Sequence, residues 1–131
     1  MTGKFTVTKE APRQARAAVA EVTSLLDEDV GSDAVLLTSE LVTNSVLHAG
    51  LASEDQIAVR IRVLPSLLRV DVLDLGRGFH RADVSQAREA GGWGFVLLDR
   101  ISDRWGHEPG RPSNVWFEID LPRETTVHPP G

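Results

Sequence analysis

Three islands of polar residues and glycine interrupt an otherwise ordinary apolar pattern. In the first, Glu40-Leu41-Val42-Thr43-Asn44-Ser45-Val46-Leu47-His48, the polar side chains Glu40, Asn44 and His48 recur at i, i+4 and i+8. In the second, Asp74-Leu75-Gly76-Arg77-Gly78-Phe79, a carboxylate is followed by two glycines. In the third, Gly92-Trp93-Gly94-Phe95, two glycines precede an apolar run.

Each island has a chemical reading and a structural one. The carbonyl oxygen of Asn44 suits Mg²⁺, a hard cation that takes one or two protein oxygens and completes its shell with phosphate and water. Alternatively it is a satisfied core amide. Glu40, one turn earlier, could orient and deprotonate a hydroxyl or water attacking a γ-phosphate, or simply be a solvated or ion-paired carboxylate. His48 completes the stripe and is assigned no chemical step, because an isolated histidine is more often structural. Asp74 either caps the turn at Gly76 or accepts a hydrogen bond from the exocyclic amine of adenine, with Gly76 and Gly78 allowing close approach of the backbone. Gly92 and Gly94 either make a turn or leave free N–H groups at a helix start, where the helix dipole helps to hold phosphates.

The elements that position these islands follow from periodicity. Lys4 to Thr8 reads as a short strand. Pro12 suits a first helical turn, and Ala15, Ala18, Val19, Val22, Leu25 and Leu26 then recur at helical spacing, leaving Arg13, Arg16 and Glu21 outward. Asp27-Glu28-Asp29 and Gly31 break the pattern, and Ser32 is the expected N-cap of a second helix running to about Ala49, with Gly50 as its stop. Leu36 and Leu47 on one side of that helix, and Val35, Val42 and Val46 on another, predict burial over much of its circumference. The polar stripe on such a helix needs a partner or a ligand.

Ile57, Val59, Ile61 and Val63 alternate with Ala58, Arg60, Arg62 and Leu64, the turn Pro65-Ser66 follows, and Leu67 to Asp74 completes an antiparallel hairpin. In its second strand Leu68, Val70, Val72 and Asp74 share the core-facing row, with Arg69 and Asp71 opposite. Residues 80–90 lack periodicity and read as a mobile loop. A helix is expected over Phe95 to Ile101, then strands over Asp103 to His107 and Val115 to Leu121, joined by a Pro/Gly-rich turn. This order predicts an α/β fold: a two-layer sandwich with helices on one face of a mixed, largely antiparallel sheet. The strands of the hairpin are too close for a crossover helix, which argues against a Rossmann fold.

At 131 residues, 41% hydrophobic and 25% charged, the chain is expected to form one globular domain over 1–122 with a disordered tail at 123–131. A net charge of −5 without a Lys/Arg block argues against nucleic acid as a partner. With no cysteine there is no disulfide or thiolate metal site. The first residues lack a signal-peptide stretch, and nothing approaches a membrane span, so a cytoplasmic protein is expected.

In order and spacing the three islands resemble the N, G1 and G2 boxes of the GHKL ATPases, the superfamily of histidine-kinase catalytic domains, gyrase, Hsp90 and MutL. ELVTNSVLHAG, DLGRGF and GGWGFVLLDRISDRWG most resemble the anti-sigma-factor serine/threonine kinases, especially the actinobacterial ATP-binding regulators, over roughly Phe5 to Leu121. The resemblance implies the Bergerat fold and the cofactors ATP and Mg²⁺. It implies that Glu40 is the general base, Asn44 the Mg²⁺ ligand and Asp74 the adenine-binding aspartate. Gly76, Gly78, Gly92, Gly94 and Phe95 fall in the nucleotide loops, and 80–91 corresponds to the ATP lid. As partners it implies a sigma factor, a STAS-domain antagonist phosphorylated on serine or threonine, and a second copy in a homodimer.

Two functions are therefore weighed: a partner-switching protein kinase, and a non-catalytic ATP-binding regulator that docks a partner according to nucleotide state. A histidine kinase is disfavoured, because about 130 residues leave no space for a phospho-accepting dimerisation domain. A purely structural domain requires Asp74 to be only a turn cap.

Overall fold

A computed structural model describes residues 2–6, 8–48, 56–75, 93–110 and 113–122. The expected loop at 80–90 and the tail at 123–131 lie outside them. Strand β1 (Thr2–Thr6) is followed by helices α1 (Ala11–Val22) and α2 (Glu28–His48), and then by the hairpin β2 (Gln56–Val63) and β3 (Leu67–Asp74). Helix α3 (Trp93–Ile101) and the hairpin β4 (Arg104–Glu108) and β5 (Ser113–Asp120) complete the order.

The five strands form one sheet in the order β1-β2-β3-β5-β4, and every pairing is antiparallel. The expected sandwich is present, with a wholly antiparallel sheet among the described residues. Because side chains alternate across a strand, one face carries Ile57, Val59, Ile61, Leu68, Val70, Val72, Val115, Phe117 and Ile119, all buried. These pack in one core with Ala11, Ala15 and Val19 of α1, Ala34, Leu37, Leu41 and Val42 of α2, and Phe95 and Leu98 of α3.

Helix α1 carries its proline in the first turn, as its sequence predicts. It ends at Val22, so Leu25 falls in the following turn and is 96% exposed, contrary to the expectation that it continues the apolar stripe. At this end Thr23 donates both its backbone N–H, at 2.9 Å, and its hydroxyl, at 2.7 Å, to the Val19 carbonyl.

Helix α2 begins four residues before the expected Ser32. Asp27 is the cap, its Oδ1 accepting from the backbone N–H of Asp29 at 2.9 Å and of Val30 at 3.4 Å. Glu28 and Asp29 then lie in the first turn, where the helix dipole favours negative charge, so the acidic run starts the helix instead of breaking it. Gly31 is tolerated inside because α1's end passes close by: a Cβ there would stand 3.3 Å from Thr23 Oγ1. The helix is also less enclosed than expected, since Leu36 and Leu47 are exposed while the Ala34, Leu37, Leu41 and Val42 side is buried.

The opposite face of the sheet holds a charge network centred on Asp71, whose side chain is wholly buried. Asp71 accepts from Arg69 Nη2 at 3.0 Å, Arg62 Nη2 at 3.2 Å and Asn114 Nδ2 at 2.9 Å, with Arg60 Nε at 3.6 Å. Arg69 also reaches Glu118 at 3.2 Å and lies 4.3 Å over the ring of Trp116. Arg104 joins Glu118 to Asp120. No helix of the described residues is long and apolar enough to cross a membrane.

Candidate functional site

Asn44 continues the α2 stripe of Leu37 and Leu41 by one turn, so its amide stands on the core side of the helix. Its Nδ2 is buried without a hydrogen-bond partner. A buried amide group left unmet costs on the order of 1–3 kcal/mol. Glu40 sits half-buried one turn earlier, and the backbone of His48 closes the helix.

Asp74 is 5% exposed at the end of β3, on the core face. Its cross-strand neighbours are Ile57 on β2 and Ser113 on β5. Ser113, 1% exposed, is the residue that sequence reading missed. It heads the row Ser113, Val115, Phe117, Ile119 as Asp74 ends the row Leu68, Val70, Val72, so the two polar side chains stand together at the same rim of an apolar face. That signal was present in the sequence as a polar residue one strand step before Val115, but pairing it with Asp74 needs β5 beside β3.

Helix α2 of the helical layer touches β3 and β5 of the sheet and its neighbour α3. Gly94 lies in the first turn of α3. Gly76, Gly78 and Gly92, with the segment 80–91, lie outside the described residues. Phe95 is fully buried in the core, with its ring 5.6 Å from that of Trp105. Its side chain therefore anchors the helix, and only its backbone N–H belongs to the helix start. Trp105 donates to Asp99 Oδ1 at 2.8 Å, a second tie between α3 and the sheet.

Among the described residues no three His, Cys, Asp or Glu side chains are grouped to hold a metal ion. The donor set present, a neutral amide and a half-buried carboxylate one turn apart, fits Mg²⁺ only as an ion shared with phosphate oxygens and water. The unmet group of Asn44 is its Nδ2, a donor that suits an acceptor such as a phosphate oxygen and is not itself a metal ligand. A groove of about 810 Å³ between α1 and α2, lined by Arg16, Thr23, Gly31, Val35 and Leu36, is separate: Glu40, Asn44 and Asp74 do not line it.

Residues 5–113 match the family described as the histidine kinase-like ATPase domain. The chain is 31% identical over 116 residues to an anti-sigma F factor of Pasteuria penetrans, covering 79% of this chain and 77% of the relative. Its fold is similar to the RsbU and RsbW domains of Rv1364c from Mycobacterium tuberculosis, with a TM-score of 0.65 at 19% identity, covering 92% of this chain and 32% of that one. It is also similar to the histidine kinase domain of the blue-light activated histidine kinase EL346 from Erythrobacter litoralis, with a TM-score of 0.56 at 19% identity over 90% of this chain and 61% of that one. The chain thus spans about a third of the first structure and under two thirds of the second. With the order of the three islands, the all-antiparallel sheet and the match over most of its length, the chain belongs to the histidine kinase-like ATPase (GHKL) family and is of its anti-sigma-factor kinase-like kind.

Proposed function

We propose that this protein is an ATP-binding anti-sigma-factor regulator that acts as a serine/threonine kinase on a STAS-type antagonist and exchanges that partner for a sigma factor. The observation that carries the nucleotide reading is Asp74, a carboxylate buried at the end of an apolar row with Ser113 beside it. A buried acceptor at the rim of an apolar slot suits a flat heterocycle with an exocyclic N–H donor, because the ring meets apolar surface while the amine meets the carboxylate.

The phosphates then extend toward α2 and the start of α3. Backbone N–H groups there, including those of Gly94 and Phe95, receive phosphate oxygens without a basic surface, in keeping with the acidic composition. Asn44 would hold Mg²⁺ through its amide oxygen, where the ion supplies charge neutralisation of the phosphate oxygens. Glu40 accepts the proton of the partner's hydroxyl as that oxygen bonds to the γ-phosphorus. The bond to the β,γ-bridging oxygen breaks, leaving ADP and a phosphorylated side chain.

The similarity to an anti-sigma F factor supports the partner class. The test incubates the protein with labelled ATP and candidate STAS proteins, with Glu40→Gln alongside. Transfer in the wild type that is lost in Glu40→Gln is the expected result. Transfer that is unchanged in Glu40→Gln removes Glu40 as the base. ATP binding without transfer to any candidate favours the non-catalytic regulator.

A further inference from the structure

We infer that Asn114, bonded to the buried Asp71 on the helix-free face of the sheet, is a positioning residue for the nucleotide site. It fixes the entry of β5 so that Ser113 stands beside Asp74 on the core face. The inference rests on the reading of the Asp74–Ser113 rim as the place of the base.

Ser113 opens β5 and Asp74 ends β3, so the two form the last pair of the β3–β5 ladder. The β4 register stops with Glu108 opposite Asn114, which leaves Ser113 paired to β3 alone. Asn114 is therefore the first residue of β5 held on both sides, by Leu73 and by Glu108. Terminal pairs of a ladder open more readily than interior ones. A ligand that needs such a pair closed binds in proportion to the fraction of molecules in which it is closed.

Side-chain alternation puts Asn114 on the opposite face from Ser113, together with Leu73 and Asp71. Its Nδ2 donates to Asp71 Oδ1 at 2.9 Å, a diagonal bond from the start of β5 to the middle of β3. Asp71 is a fixed anchor: its side chain is wholly buried, and Arg69 of its own strand and Arg62 of β2 donate to it at 3.0 and 3.2 Å. A hydrogen bond to such a carboxylate is charge-assisted and belongs to the stronger class.

Two observations set this bond apart from ordinary packing. Apolar alternation alone does not choose the register, because a slip of two residues would leave Val115, Phe117 and Ile119 on the core face. Ser113 would then no longer stand opposite Asp74. Polar contacts distinguish the registers: Asn114 with Asp71 near the site, and Arg69 with Glu118 at 3.2 Å toward the other end. Secondly, Asn is depleted in strands, and the Asn114 Oδ1 is buried with no hydrogen-bond partner among the described residues. An amide kept at that cost is used for its donor, and the acceptor of that donor is Asp71.

The test is Asn114→Val in the full chain, which removes the donor and keeps a strand-favouring side chain. Arg62→Ala is the control, since it takes another donor from Asp71 without touching β5. ATP affinity, measured by calorimetry, should fall about tenfold in Asn114→Val and stay within about twofold of wild type in Arg62→Ala. Amide hydrogen exchange in Asn114→Val should quicken about tenfold at the Asp74–Ser113 end, while Leu68 and Ile119 keep wild-type rates. A merely structural role moves both variants, or both ends of the ladder, together, and that result overturns the inference. Should circular dichroism show Asn114→Val unfolded, Asn114→Ala supplies the same readings. A wild type that binds no adenine nucleotide overturns the nucleotide reading and this inference with it. Wild-type binding that Asn114→Val leaves unchanged overturns this inference alone.

Discussion

Removing the Asp71 carboxylate should destabilise the fold far more than removing any one of the arginines around it. In Asp71→Ala the side chain lost is wholly buried and accepts from Arg69, Arg62 and Asn114. Breaking a buried ion pair from one side costs about 3–5 kcal/mol when the remaining charge is trapped. Here Arg62 and Arg60 are 43% and 44% exposed and can rehydrate, whereas Arg69 is 20% exposed and Asn114 is buried. Only part of the cluster is therefore stranded, which lowers the expectation to about 2–4 kcal/mol. For a domain of this size that corresponds to a fall in Tm of roughly 10 °C. Arg62→Ala, which leaves Asp71 with Arg69 and Asn114, should cost under about 1 kcal/mol.

The same group gives a pH signature. Burial pushes the Asp71 carboxyl up, but hydrogen bonds from Arg69 and Asn114 and the charges of Arg69 and Arg60 outweigh it and hold the carboxyl below its ordinary value. A group depressed in the folded state contributes stability that is complete above its unfolded pKa of about 3.9 and is lost as pH falls through the folded value. Urea unfolding at several pH values should show wild-type stability falling below about pH 5, with Asp71→Asn less stable at neutral pH and flatter across the acid limb. An Asp71→Ala variant within about 0.5 kcal/mol of wild type at pH 7 would falsify the account of a carboxylate holding the face together.

Asp74→Asn should weaken ATP binding about 10- to 100-fold by calorimetry with the fold retained, because one charge-assisted hydrogen bond is replaced by a mismatched amide; unchanged affinity would return Asp74 to a turn cap. Glu40→Gln should lower phosphotransfer by about 10²–10⁴ while ATP affinity stays within a few-fold, measured by transfer to a substrate protein and by calorimetry. Gly106→Ala should destabilise by about 1–3 kcal/mol in thermal melts, since its Cβ would stand 2.7 Å from the Trp116 indole and force that ring off the sheet. If Trp116 fluorescence and Tm are unmoved in Gly106→Ala, the close packing of ring on backbone is wrong.

Local spacing determined much of this protein. The period-2 alternation of 56–74 announces the hairpin and places Asp74 on the core row, with Arg69 and Asp71 opposite, as the register bears out. The i, i+4 spacing places Glu40 and Asn44 on one stripe of α2. These features depend only on the side-chain period of a single element, which residue types alone disclose. Helix ends were less legible, because Asp27 and Ser32 are both competent caps and the choice of Asp27 is tied to how α1 closes against Gly31.

What only the tertiary structure decided are the meetings between distant segments. Ser113 joins Asp74 because β5, which follows α3 and β4 in sequence, inserts beside β3. Asp71 lies on the row opposite the core, as its alternation implies, yet it is fully buried because Arg62, Arg69 and Asn114 from three strands close over it. Phe95 sits in a glycine-rich island yet belongs to the core, since α3 docks it against Trp105. Periodicity reports which side of its own element a residue takes; which other segment waits on that side is set by strand order and helix docking, and those depend on the whole chain at once.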